Sequence, residues 1–147
     1  MVRTKKKPRN KVNSFNTQLM RKVSIAFNLD ALKKREIVKT GVCKFMITLA
    51  MVGLGYWGPN LLRNFAQLPD CHVKVCCDLD PRSLTKAKQQ YPYLSVTDNY
   101  DTLLSAPEID AIVIAAPART HYVLAQKALQ HGKHLFVEKP LTLDVQQ

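Results

Sequence analysis

No stretch of this sequence approaches the run of about 20 apolar residues that a membrane-spanning helix needs. The longest apolar run, around Phe45–Tyr56, is shorter and is broken by glycines. No membrane partner is expected. A secretory signal is not expected either, because the basic start is followed by neither an apolar stretch nor a cleavage site. Cysteine is sparse: Cys43, Cys71, Cys76 and Cys77 form no CxxC pair, so there is no zinc pattern and no metal site is expected. Cys76 and Cys77 adjoin in an apolar run that reads as a strand, where neighbours point to opposite faces and are poorly placed to ligate one metal. Small buried thiols in a reducing cytoplasm are the expected state. Serine is too thin near the N-terminus, and Lys too dominant over Arg, for an organellar transit peptide. Internal repeats are missing, as are low-complexity tracts after the first segment.

Acidic residues are scarce only at the start. The formal net charge is +11, yet residues 1–45 hold thirteen Lys and Arg against two Asp and Glu, while residues 46–147 hold nine of each. The basic character belongs to residues 1–45. The remainder is neutral and has no electrostatic reason to seek nucleic acid. At 147 residues, with 46% hydrophobic and 22% charged residues, the chain has the composition of one ordinary globular domain. Its opening, MVRTKKKPRNKVNSFN, cannot bury enough apolar surface to offset its ordering entropy and is expected to be disordered. Leu19, Val23, Phe27 and Ile37 recur at near-helical spacing, so a short amphipathic helix fits within residues 17–39. A tail for an anionic partner is one reading of this extension. The preferred one is a non-essential addition from an upstream start, because Met46 opens the first strand.

From Met46 the patterns alternate. Met46–Val52 reads as a buried strand, Gly53–Gly58 as a tight turn and Trp57–Gln67 as a helix with Pro59 in its first turn. Val73–Cys77 is a strand, Pro81–Tyr91 a helix, Leu94–Val96 a short strand and Tyr100–Ser105 a short helix. Ala111–Ala116 is a strand, Thr120–His131 a helix closed by Gly132, and His134–Val137 a strand. Continuous rather than alternating apolar strands imply a parallel sheet covered on both faces. Right-handed crossovers then make it a doubly wound α/β fold of Rossmann type.

Gly53-Leu54-Gly55-Tyr56-Trp57-Gly58 matches GxGxxG. Glycines fall into that spacing by chance, but here the motif follows an apolar strand and opens a helix. Asp78 lies twenty positions beyond Gly58, at the end of the second strand. Those conditions together point to a dinucleotide. Gly53 permits the turn, Gly55 clears space for a pyrophosphate and Gly58 lets the helix pack close. Free N–H groups and the positive end of the helix dipole, around Tyr56 and Trp57, then meet the phosphate charge. Asp78 is expected to accept hydrogen bonds from the adenosine ribose, which favours NAD over NADP because a carboxylate repels a 2′-phosphate. Asp80 is the alternative acceptor, with Asp78 then capping. Arg82 either pairs with a cofactor phosphate or is a solvated surface charge.

GLGYWGPNLLRNF at 53–65, AAPARTHYVLAQKAL at 115–129 and GKHLFVEKPLTL at 132–143 resemble the Gfo/Idh/MocA oxidoreductases. The GYWGPN turn is similar to dehydrogenases that oxidise the 3-hydroxyl of a UDP-linked N-acetylated uronic acid. The resemblance runs from about Met46 to the C-terminus, and Glu138-Lys139-Pro140 after a strand is its most specific element. It implies an NAD-dependent sugar or sugar-nucleotide dehydrogenase. Lys139 would lie near the nicotinamide and the reacting hydroxyl and assist proton transfer, with Glu138 beside it. Pro140 matches a proline often preceded by a cis bond. Pro117 and His121 match a Thr-Pro pattern with His four residues on. Ala116 stands where that pattern has Thr, so a hydroxyl contact to the cofactor is lost. His121 is either a cofactor neighbour or a packing and capping residue; His72, His131 and His134 carry no expected role.

The resemblance also implies a second α/β domain, supplying the substrate pocket and much of an oligomer interface, that does not follow here. A truncated chain is therefore the expectation, ending in a helix after Leu141. An uncovered apolar patch would make it a homo-oligomer candidate. The alternatives to a dehydrogenase completed by more chain are a nucleotide-binding remnant without turnover and an anionic-partner binder acting through its basic tail.

Overall fold

A computed structural model describes residues 46–146. The helix considered within 17–39, Cys43 and the rest of the basic extension lie outside the described residues. Along the chain run β1 (Ile47–Val52), α1 (Gly58–Ala66), β2 (Cys71–Cys77), α2 (Pro81–Gln90) and β3 (Ser95–Thr97). Then come α3 (Asp101–Ser105), β4 (Ala111–Ile114), α4 (Ala118–Gln130) and β5 (His134–Val137). The strands form one five-stranded sheet in the order β3-β2-β1-β4-β5, and every pairing is parallel. The order reverses between β1 and β4, the point where doubly wound sheets open a crevice at the carboxyl ends of their strands.

Both faces of the sheet are covered, because the central strands β1 and β4 bury apolar side chains on both sides. Leu49 and Met51 of β1 join Leu61, Leu62 and Phe65 of α1 and Ala87 of α2 in one cluster. Ala50 and Val52 join Leu103 and Leu104 of α3 and Ala125 and Ala128 of α4 in the other. The fully buried Leu, Met, Val and Phe side chains each contribute about 1.5–3 kcal/mol. On α1 the buried residues fall at helical spacing, and the ring of Phe65 meets Phe136 of β5 edge-on at 5.5 Å. Register shifts between Leu49 and Ala50 make Val73 the partner of Leu49 and Val75 the partner of Ala50. The extra residue, Lys74, inverts the alternation of β2. Val73 and Cys76 therefore share one core cluster, and Cys77 enters the other.

Several boundaries differ from the sequence reading. Strand β1 begins at Ile47, with Met46 outside it and exposed. Strand β2 starts two residues early, at Cys71, because Ile47 finds its partner there. Strand β3 is displaced one residue, to Ser95–Thr97. Helix α4 starts at Ala118, not Thr120: Pro117 holds φ −58° and ψ 138° as the N-cap, and the Thr120 hydroxyl donates back to its carbonyl at 2.7 Å. The predicted C-cap is present. Gly132 has φ +70°, its N–H donates to Leu129 O and that of Lys133 to Ala128 O, which closes the last turn of α4. The helix expected after Leu141 is not formed within the described residues; Leu141–Gln146 are bends and turns. Thr142 Oγ1 donates to Asp144 O and Asp144 Oδ1 accepts from Gln146 N–H, local bonds that compete with a helix. Leu141, Leu143 and Val145 are exposed and offer no packed face to drive one.

Candidate cofactor-binding site

The three glycines of the first turn meet three different surroundings. Gly53 has φ +90°, and a Cβ there would lie 2.6 Å from the backbone of Ala115 and Ala116. A Cβ on Gly58 would lie 2.2 Å from Gly53 O. Both positions are closed by backbone, one where the turn passes beneath the end of β4 and one where α1 packs onto the turn. Gly55 is the opposite case: nothing lies within 4 Å of its missing Cβ. The cradle is thus tight at its two ends and open in the middle, beside the N-terminus of α1. The residues present fit a pyrophosphate there, with backbone N–H groups and the helix dipole directed at it. The neighbouring Tyr56 and Trp57 are exposed, their rings edge-to-face at 5.2 Å.

The acidic residue after β2 is tied to the same turn. Asp78 Oδ2 accepts from Leu54 N–H at 2.5 Å and Oδ1 accepts from Asp80 N–H at 2.8 Å. Asp80 caps α2 instead, accepting from the N–H groups of Arg82 and Ser83 and from the Ser83 hydroxyl. That hydroxyl, and then the Arg82 N–H, hold the Asp80 carboxyl below its ordinary range. Arg82 is exposed in the first turn of α2. Motif spacing singled out Asp78 but not Asp98. The latter follows β3 as Asp78 follows β2, one step beyond the Cys77–Thr97 pair. Burial first, then these two carboxylates, push the Cys77 thiol up to about 11.

The other half of the site follows β4 and β5. Ala116 and Pro117 form the turn into α4, and Glu138 and Lys139 follow β5, with the Glu138 N–H donating to Ile114 O at 2.9 Å. Lys139 is exposed, and its ammonium forms no ion pair among the described residues. Its N–H donates to the Glu138 carboxylate at 3.2 Å, and the Lys139–Pro140 bond is cis. His121 is placed differently from the rest: it is 2% exposed, and both ring nitrogens face backbone carbonyls. Spacing alone carried no sign of that burial. Every other residue singled out for the cofactor lies along one edge of the sheet, at the carboxyl ends of β1, β2, β4 and β5 or in the first turn of a following helix. Among the described residues no His, Cys, Asp and Glu group could hold a metal ion, and no helix is long and apolar enough to cross a membrane.

Residues 47–147 match the family model described as an oxidoreductase family with an NAD-binding Rossmann fold. The chain is 32% identical over 101 residues to inositol 2-dehydrogenase/D-chiro-inositol 3-dehydrogenase of Lactiplantibacillus plantarum, covering 67% of this chain and 29% of that protein. It is 31% identical over 110 residues to a glycosyl hydrolase family 109 protein of Phocaeicola vulgatus, covering 69% of this chain and 20% of that one. Among solved structures, scyllo-inositol dehydrogenase of Lactobacillus casei with bound NAD(H) and scyllo-inositol matches at a TM-score of 0.65 and 30% identity, over 69% of this chain and 30% of that one. The chain thus spans 20–30% of the length of these relatives.

Proposed function

The chain belongs to the oxidoreductase family with an NAD-binding Rossmann fold, and from that premise we propose that it is the cofactor-binding part of an NAD-dependent dehydrogenase acting on a ring hydroxyl of a sugar or cyclitol. The observation that carries the reading is the open face of Gly55 between two closed glycines, on the same sheet edge as Asp78 and Lys139. Relatives named for inositol oxidation support the substrate class. A sugar nucleotide is the narrower reading and rests on the Gly55–Asn60 turn. Unpaired Cys71, Cys76 and Cys77 suit a reducing, cytoplasmic setting.

NAD supplies the hydride acceptor when bound. The protein's own residues supply the rest. The Gly53–Gly58 turn holds the pyrophosphate through backbone N–H groups. Asp78 accepts from the adenosine ribose with lone pairs not spent on Leu54 and Asp80, and its charge disfavours a 2′-phosphate. On the β4–β5 side, Ala116, Pro117 and Glu138 border the nicotinamide half. Lys139 assists transfer of the proton of the substrate hydroxyl as the carbon gives up its hydride. Near-attack geometry and exclusion of water need further walls, so turnover is proposed for a protein that includes them.

The test is a titration of the full chain with NADH, and with NADPH in parallel, following nicotinamide fluorescence. Saturable binding that prefers NADH and disappears in Gly55→Val is the expected result. Asp78→Asn should shift the preference toward NADPH by about tenfold, or about 1.4 kcal/mol, as a partly solvated like-charge contact is relieved. A folded chain that binds neither nucleotide would sink the reading.

A further inference from the structure

The buried imidazole of His121 has a place in the fold that cofactor contact does not explain. It sits in the first turn of α4 at 2% exposure, with Nδ1 2.7 Å from Pro140 O and Nε2 2.7 Å from Ala116 O. Each ring nitrogen that carries a proton donates to the carbonyl it faces. The two carbonyls come from separate parts of the site. Ala116 lies in the turn that closes over Gly53, where backbone would be 2.6 Å from an added Cβ. Pro140 directly follows Lys139. Beyond Glu138, the last ladder bond of β5 is behind the chain, and Lys139 N–H reaches only the neighbouring Glu138 carboxylate. The residues from Lys139 to Leu141 are exposed.

We propose that His121 is a positioning residue, whose ring fixes the Lys139–Pro140 turn to the Ala116 turn and through it to the glycine loop. The lysine is thereby referenced to the element that holds the pyrophosphate. In a doubly wound fold the adenosine half lies on the Asp78 side of the switch point, so the ring indexes the opposite, nicotinamide side. A ring held between two carbonyls at 2% exposure is stiffer than a solvated contact, because losing the bond leaves its buried N–H unsatisfied. The proposal rests on the reading of Lys139 given above only for its consequence in binding; the clamp itself concerns the unliganded chain.

The test uses His121→Phe, which keeps a ring and loses its N–H donor capacity, and His121→Gln, which keeps an amide donor, in the full chain. The first measurement is NMR relaxation of backbone amides without ligand. Order parameters at Lys139 and Leu141 should fall in His121→Phe, with partial recovery in His121→Gln and no change in β1 and β4. The second compares NADH with ADP-ribose, which carries the pyrophosphate and adenosine but no nicotinamide. The variant should keep the wild-type affinity for ADP-ribose and lose the extra affinity for NADH. Unchanged order parameters at Lys139 and Leu141, or an equal fall in β1 and β4, overturn the clamp. Should neither variant fold, the wild type still decides: ring N–H protons of His121 that all exchange at the solvent rate overturn it, and a slowly exchanging one supports it. If wild-type chain binds NADH no better than ADP-ribose, the Lys139 reading fails while the relaxation result stands by itself.

Discussion

Three glycines of one motif separate stability from binding at the residue scale. Gly53 combines φ +90° with backbone 2.6 Å from a Cβ position, and Gly58 would place one 2.2 Å from Gly53 O. Alanine at either site forces the backbone to move, and the expected loss is on the order of 3 kcal/mol, read as a lower denaturation midpoint. Gly55→Ala meets nothing within 4 Å. Its midpoint should stay within about 0.5 kcal/mol of wild type while NADH affinity falls. Equal destabilisation by all three substitutions would mean that the open face of Gly55 is not a ligand surface. The motif's spacing was legible in the sequence. So was the role expected of each glycine; how closely backbone shuts in Gly53 was not, because that depends on the turn after β4, more than 60 residues along the chain.

Cysteine chemistry is set at the scale of elements. Burial, reinforced by neighbouring negative charge, pushes the thiols of Cys71 and Cys77 up to about 11 and that of Cys76 to about 12. Tyr100, which donates to Leu124 O at 2.7 Å, is pushed up as well, mainly by burial. Folding therefore favours the protonated forms. Their contribution is fully present below the unfolded thiol value of 9.0 and is lost as pH rises through the folded values of about 11–12. The melting temperature should hold nearly level up to about pH 9 and fall beyond it. Thiol-specific labelling at pH 8, resolved by mass spectrometry, should modify Cys76 and Cys77 only after unfolding. The Lys74 irregularity is what sends Cys76 and Val73 to one face. Period-2 reading of the sequence foresaw that Cys76 and Cys77 part company. It could not foresee the inverted alternation, because a bulge is decided by pairing with β1. At the end of α4, by contrast, local chemistry was sufficient: Gly132→Ala should remove about 1 kcal/mol of stability and leave NADH binding unchanged.

For the whole molecule, charge divides the chain where the described residues begin. Residues 46–147 carry equal numbers of acidic and basic residues and residues 1–45 carry the net +11. Retention on a polyanionic resin should therefore weaken steeply with salt and vanish when residues 1–45 are deleted, with NADH binding intact. A deletion that kept salt-dependent retention would place a basic surface on the sheet domain. Composition, apolar runs and the glycine-to-Asp78 spacing by themselves determined a doubly wound parallel sheet with a dinucleotide turn after its first strand. These signals are local: continuous apolar runs bury both faces, and glycine with no Cβ is the residue such a turn requires. Only the tertiary structure decided that Asp80 caps α2 while Asp78 braces Leu54, that Asp98 stands beside Asp78, and that His121 is buried between Ala116 and Pro140. Each of those is settled by hydrogen-bond partners or strand register brought together across the fold. Buried polar groups must find such partners wherever the packed chain puts them, and sequence spacing does not record where that will be.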